Sequence, residues 1–137
     1  MIQIICGEKG KGKTKEMLQK VDEAVKDAEG SIVYIDKSSQ HMYKLNNQVR
    51  LINITEYPID TYEGFVGFVS GLLSGNHDIE CIFFDSLIKI SHVDDMHLSE
   101  LLDTLEELSK DKKFILSVSV PEESLPDAAK DKILVSC

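Results

Sequence analysis

The chain has 137 residues, 42% apolar and 28% charged, enough for one soluble domain with a sizeable core. Its 15 basic and 24 acidic residues leave a formal net charge of −9, and Arg50 is the single arginine, which argues against nucleic-acid capture by a general positive field. No apolar run approaches a membrane span and the first residues lack the basic region of a signal peptide, so a cytoplasmic protein without a membrane span is expected.

Strands and helices alternate along the whole chain. "IQIIC" (Ile2 to Cys6) is a short apolar run that meets Gly7 at once. Behind it Met17, Leu18, Val21, Ala24, Val25 and Ala28 recur at helical spacing with charges between them, and Gly30 marks the expected stop. "SIVYID" (Ser31 to Asp36) reads as the second strand and "VRLINI" (Val49 to Ile54) as the third. Asp60 followed by Glu63 has the spacing of a capping box for a helix whose core face is Tyr62, Phe65, Val66, Val69, Leu72 and Leu73. Gly64, Gly67 and Gly71 in this helix each cost roughly 1 kcal/mol against alanine, so close helix–sheet packing is expected, with a subunit contact as the alternative.

"IECIFFD" (Ile79 to Asp85) is apolar nearly throughout, the pattern of a strand covered on both faces. Asp94 or Asp95 then caps a helix carrying Leu98, Leu101, Leu102, Leu105 and Leu108. "FILSVSV" (Phe114 to Val120) is a fifth strand ended by Pro121, and "KILVS" a sixth after a short turn or helix. The prediction is a single domain over residues 1–137, an α/β three-layer sandwich on a mostly parallel sheet of five or six strands. Cys6, Cys81 and Cys137 are odd in number and lack metal-ligand spacing; the first two sit in apolar runs and read as buried free thiols.

One motif carries chemistry. Gly7, Gly12, Lys13 and Thr14 fit the Walker A pattern G-x-x-x-x-G-K-[ST], with a strand before it and a helix after it. Gly7, Gly10 and Gly12 let the backbone turn its amides inward, where the helix dipole adds to them. In this reading the cradle spans Gly7, Glu8, Lys9, Gly10, Lys11, Gly12, Lys13, Thr14 and Lys15. Lys13 places a charge on the β- and γ-phosphates and Thr14 offers a hydroxyl to Mg²⁺. Lys9 and Lys11 are read as solvated. Asp85, after the apolar fourth strand, is the second Mg²⁺ partner, acting through water.

Together "GEKGKGKT", "VYID" and "CIFFDS" resemble the RecA-like branch of the P-loop NTPases, over Ile2 to Ser119. The chain also resembles a small stand-alone bacterial family described as ATP-binding or, loosely, twitching-motility-like. The resemblance implies ATP or GTP with Mg²⁺ as cofactors and the strand order 6-1-5-4-2-3. It also implies a glutamate base just beyond the second strand or just after the strand-terminal aspartate. Ser38 and Ser86 stand at those places, leaving Asp36, Gln40 or His41 as weak substitutes. Ser117 and Ser119 are candidates for sensing the γ-phosphate, and no arginine finger is supported.

The expected function is Mg²⁺-dependent nucleotide binding with weak or partner-dependent hydrolysis, with no catalytic residue assigned and Asp36 and Ser119 as weak candidates. A protein partner or self-association is expected and nucleic acid is not. The alternatives are an active NTPase or small-molecule kinase, and a degenerate P-loop module that only binds protein.

Overall fold

The computed structural model describes all 137 residues. Six strands form one sheet: β1 (Ile2–Cys6), β2 (Ser31–Asp36), β3 (Val49–Asn53), β4 (Ile79–Phe84), β5 (Lys113–Val118) and β6 (Ile133–Ser136). Their order is β3-β2-β4-β5-β1-β6, the expected order read from the other edge. Every neighbouring pair is parallel, so each return requires a crossover, and helices supply most of these.

Alternation along each strand distributes side chains to two separate cores. On one face Ile5, Ile32, Tyr34, Cys81, Phe83 and Ile115 pack under α1 (Lys13–Asp27), which contributes Met17 and Val21. On the other face Ile4, Val33, Ile35, Ile82, Phe84, Phe114 and Leu116 meet Phe65 and Val69 of α2 (Tyr62–Gly75). The short α3 (Leu87–Ser91) and α4 (Leu98–Ser109) complete that layer with Leu87, Ile90, Leu101, Leu102 and Leu105. Strands covered on both faces must be apolar at successive positions, which is why β4 reads as a continuous run. Phe84 holds the centre of the larger core, edge-on to both Phe65 and Phe114 at centroid separations of 6.0 and 5.2 Å.

Several local expectations change. The third strand ends at Asn53, one residue early, because Ile54 begins a 3-10 turn. The cap of α2 is Thr61, whose Oγ1 accepts from the Gly64 amide at 3.0 Å, so Asp60 and Glu63 form no capping box. Gly67 and Gly71 are exposed, and a Cβ on either would meet nothing within 4 Å, so they do not serve helix–sheet packing. Asp94 caps a 3-10 turn, Asp95–His97, that leads directly into α4. The first helix ends at Asp27, before Gly30. Gly30 answers a different need: a Cβ there would stand 2.3 Å from the Asp78 carbonyl oxygen, which the neighbouring Ser31 amide uses at 2.8 Å.

The strands β4 and β5 end at Phe84 and Val118, which leaves Asp85 and Ser119 just past the sheet. The carboxyl ends of β1, β2, β4 and β5 lie side by side in the sheet and gather Gly7, Asp36, Asp85 and Ser119 at one edge. That edge is where open parallel sheets build their sites.

Candidate functional site

The turn between β1 and α1 is built on three glycines with positive φ: 151° at Gly7, 87° at Gly10 and 90° at Gly12. A side chain at Gly7 would also stand 2.8 Å from Cys137 Cβ, whereas at Gly10 and Gly12 there is open space. The requirement at Gly10 and Gly12 is therefore conformational alone. No backbone carbonyl accepts from the amides of Gly10, Gly12, Lys13 or Thr14. These free donors coincide with the positive end of the 15-residue α1, the arrangement that attracts anions. Lys13 is buried and bends back over the turn, donating from Nζ to the Glu8 carbonyl at 3.0 Å.

Facing the turn is Asp85, 2% exposed, with its carboxylate held by hydroxyls from three directions. Thr14 Oγ1 donates to Oδ2 at 3.2 Å, Tyr34 Oη to the same oxygen at 2.7 Å, and Ser117 Oγ to Oδ1 at 2.8 Å. Tyr34 lies on β2 and Ser117 on β5, the two strands that flank β4. Burial, reinforced by the Asp85 charge, pushes the Tyr34 phenol far above its ordinary range, so it remains a proton donor. The donor set fits a divalent cation of the Mg²⁺ type: a hydroxyl and a carboxylate converge, and both are hard oxygen donors.

Ser117 differs from its expected role. Its hydroxyl is consumed within the protein, donating to Asp85 and accepting from the Ser86 amide at 2.7 Å. It therefore aligns the end of β4 and does not point at a ligand. That second bond fixes Ser86 in a left-handed conformation, φ 61° and ψ 54°, where a non-glycine residue is uncommon. Ser119, one residue beyond β5, lines the cleft.

The cleft has a volume of about 580 Å³ and brings Lys9, Gly10, Gly12, Lys13, Thr14 and Lys15 together with Asp85 and Ser86. Lys37, after β2, and Lys89, on α3, also line it. Lys9 and Lys11 are both exposed; Lys9 lines the cleft and Lys11 does not. Five lysines face two aspartates, Asp85 and Asp95, so this edge of a protein with net charge −9 is cationic.

Asp36 is 1% exposed and committed to its own loop. Its Oδ1 accepts from the Lys37 amide at 2.7 Å and its Oδ2 pairs with His41 Nδ1 at 3.0 Å. Ligand atoms of Asp36, His41 and Asp85 lie within 4.8 Å of one another. Gln40 is exposed and touches His41 Nε2 at 3.3 Å. Ser38 accepts from the Gln40 amide, and no glutamate approaches the cleft from either expected position.

Fold and turn together define the class: a six-stranded, all-parallel α/β sheet with a glycine turn set opposite a strand-terminal aspartate. No protein-family model matches the chain, and no curated protein sequence does. Solved structures do. The chain is similar to the flagellar accessory protein FlaH from Methanocaldococcus jannaschii, with a TM-score of 0.61 and 17% identity over 93% of this chain. It is also similar to PCH-2 of C. elegans, with a TM-score of 0.52 and 16% identity over 98% of this chain. It spans 63% of the FlaH chain and 34% of the PCH-2 chain, less than two thirds of either. At these identities the likeness concerns the fold.

Proposed function

We propose that the protein binds a purine nucleoside triphosphate, ATP or GTP, with Mg²⁺, and hydrolyses it weakly or only with a partner. The observation that carries this reading is the conjunction at one cleft of unbonded turn amides, the buried Lys13, and the Thr14–Asp85 oxygen pair at 3.2 Å. The amides of Gly10, Gly12, Lys13 and Thr14 bind the phosphate chain and Lys13 exchanges its Glu8 carbonyl for phosphate oxygens. Thr14 and Asp85 are the residues that hold Mg²⁺, Asp85 through water. When bound, the ion supplies charge neutralisation across the phosphates. The residues from Gly7 to Lys15 form the binding segment, with Glu8 contributing its carbonyl and Lys11 remaining outside the cleft.

Slow hydrolysis follows from what surrounds the cleft. Positioning of the attacking water by a carboxylate is the missing part: Ser38 and Ser86 stand where a glutamate is expected. Asp36 is a poor substitute because both its oxygens are already bonded, to the Lys37 amide and to His41. Ser119 keeps a place near the terminal phosphate as a polar contact. The segment after β2 carries Met42 and Tyr43, 46% and 91% exposed, a surface on which a protein partner or a second copy can read the bound state. A cytoplasmic location goes with this reading.

The test is thermal denaturation with and without Mg²⁺–ATP or Mg²⁺–GTP at millimolar concentration. Binding raises the melting temperature by mass action, about 2.7 kcal/mol at one hundred times Kd. Lys13→Ala is expected to abolish the rise. A wild-type protein that responds to neither nucleotide would refute the proposal.

A further inference from the structure

The cleft holds more cations than the phosphate turn requires. Lys9, Lys15 and Lys89 are exposed at its rim, but Lys37 is half-buried. Ion pairs of lysines within 4 Å occur at Lys20, Lys130 and Lys132, all outside the cleft. Lys37 has none, although the chain has 24 acidic residues. Its ammonium rests instead on a neutral partner, Ser86 Oγ, at the long distance of 3.4 Å. A half-buried charge that gives up hydration for one weak contact retains capacity for an anion.

The position is also held from both ends. Asp36 Oδ1 fixes the Lys37 amide at 2.7 Å, and His41 on Asp36 Oδ2 pins the loop beyond it. At the tip, Ser86 is fixed by Ser117, which also holds Asp85. An unbroken series of hydrogen bonds thus runs from Thr14 through Asp85, Ser117 and Ser86 to Lys37. The half-buried ammonium sits beside Ser86, the residue that follows Asp85, and lines the same cleft as Thr14 and Asp85. In a P-loop site the turn amides take the inner phosphates, and the metal held beside them bridges the β- and γ-phosphates.

We propose that Lys37 is the specificity-determining residue that contacts the terminal phosphate and makes the cleft prefer a nucleoside triphosphate over a diphosphate. This rests on the nucleotide-binding reading above. Lys37 stands one residue before Ser38, where a water-polarising glutamate is expected, so this loop offers the terminal phosphate a cation and no carboxylate base. Asp36 is its positioning residue.

Calorimetric titration of the full chain with Mg²⁺, using ADP and the non-hydrolysable imido analogue of ATP, tests the assignment. Lys37→Ala is expected to weaken the triphosphate analogue about tenfold and to leave ADP within about twofold. Lys37→Arg should retain most of the preference, while Lys44→Ala, an equal charge change on the same exposed loop, should alter neither affinity. Lys37→Gln repeats the test with a side chain of similar length, and unliganded melting curves check that each variant folds. Equal losses for both nucleotides, or an unchanged ratio in Lys37→Ala and Lys37→Gln, would overturn the role of Lys37 while leaving nucleotide binding intact. Wild-type protein that binds neither nucleotide would overturn the nucleotide reading itself.

Discussion

Asp85 shows how a buried carboxylate is held in place by hydroxyls. Three hydroxyls, from Thr14, Tyr34 and Ser117, supply the hydrogen bonds that burial makes obligatory. Tyr34 is the most constrained of them: it is fully buried, stacked on Phe83 at 5.9 Å, and its phenol is the shortest contact to the carboxylate. Tyr34→Phe removes a donor to a charged group and nothing else, so urea denaturation should show a loss of about 1.5–3 kcal/mol. A loss under about 0.5 kcal/mol would mean that the other hydroxyls or water take over the lone pair. The place of Asp85 was legible in the sequence, because it is the charge that ends an apolar strand downstream of a glycine-rich turn. Tyr34 and Ser117 were not legible in this role. Each looks like an ordinary strand residue until the sheet order sets β2 and β5 on either side of β4. Lys37 was hidden for the same reason, since its partner Ser86 is 49 residues away in sequence.

At the level of elements, helix α2 departs furthest from its sequence reading. Its apolar face was legible, and Phe65 and Val69 are its buried centre. The glycines misled because glycine in a helix usually marks a close approach, and here the closest neighbour of a Cβ on Gly64 is Thr61 Oγ1 at 3.1 Å. Gly67 and Gly71 face solvent with free space around them. Alanine at each should therefore stabilise the isolated chain by roughly 0.5–1 kcal/mol, through helix propensity and a less free unfolded state. The double variant should melt higher by a few degrees. A lower melting temperature would show that these positions are covered in solution. The cap was misplaced by one residue because Asp60 and Thr61 are both good caps, and only the backbone angles at Thr61, φ −131° and ψ 161°, decide between them. Thr61→Ala should cost about 1 kcal/mol. The short α3 had no sequence signature: five residues between left-handed Ser86 and His92 are too few for a periodic pattern.

For the whole molecule, periodicity located the strands but carried no information on their order. The order came from the resemblance of the P-loop and "CIFFDS", because hydrophobic alternation is blind to which strand lies beside which. Charge is also distributed at this scale: a chain of net charge −9 carries a cleft lined by five lysines. Some of the acids act at a distance from the cleft in closing the fold. Glu106 of α4 receives Lys132, just before β6, at 2.7 Å and the Met1 ammonium, just before β1, at 3.2 Å. It thereby fastens two strands that are neighbours in the sheet to one helix. Its carboxyl lies below the usual range, chiefly through the Lys132 hydrogen bond, and the Lys132 ammonium is raised by the same contact. A folded-state carboxyl that is depressed contributes stability above its unfolded pKa and loses it as pH falls through the folded value. Glu106→Gln should therefore lower stability near neutral pH, by about 1 kcal/mol or less since the pair is partly exposed. The difference from wild type should close as the pH is lowered through and below about 4. Asp78, held by Ser31, and Asp94, held by His97, are depressed in the same direction, so acid should also weaken the variant that lacks Glu106. Melting curves of both proteins from pH 7 to pH 3 separate these contributions: a wild-type-minus-variant gap that persists unchanged at pH 3 would show that Glu106 acts through packing, not charge.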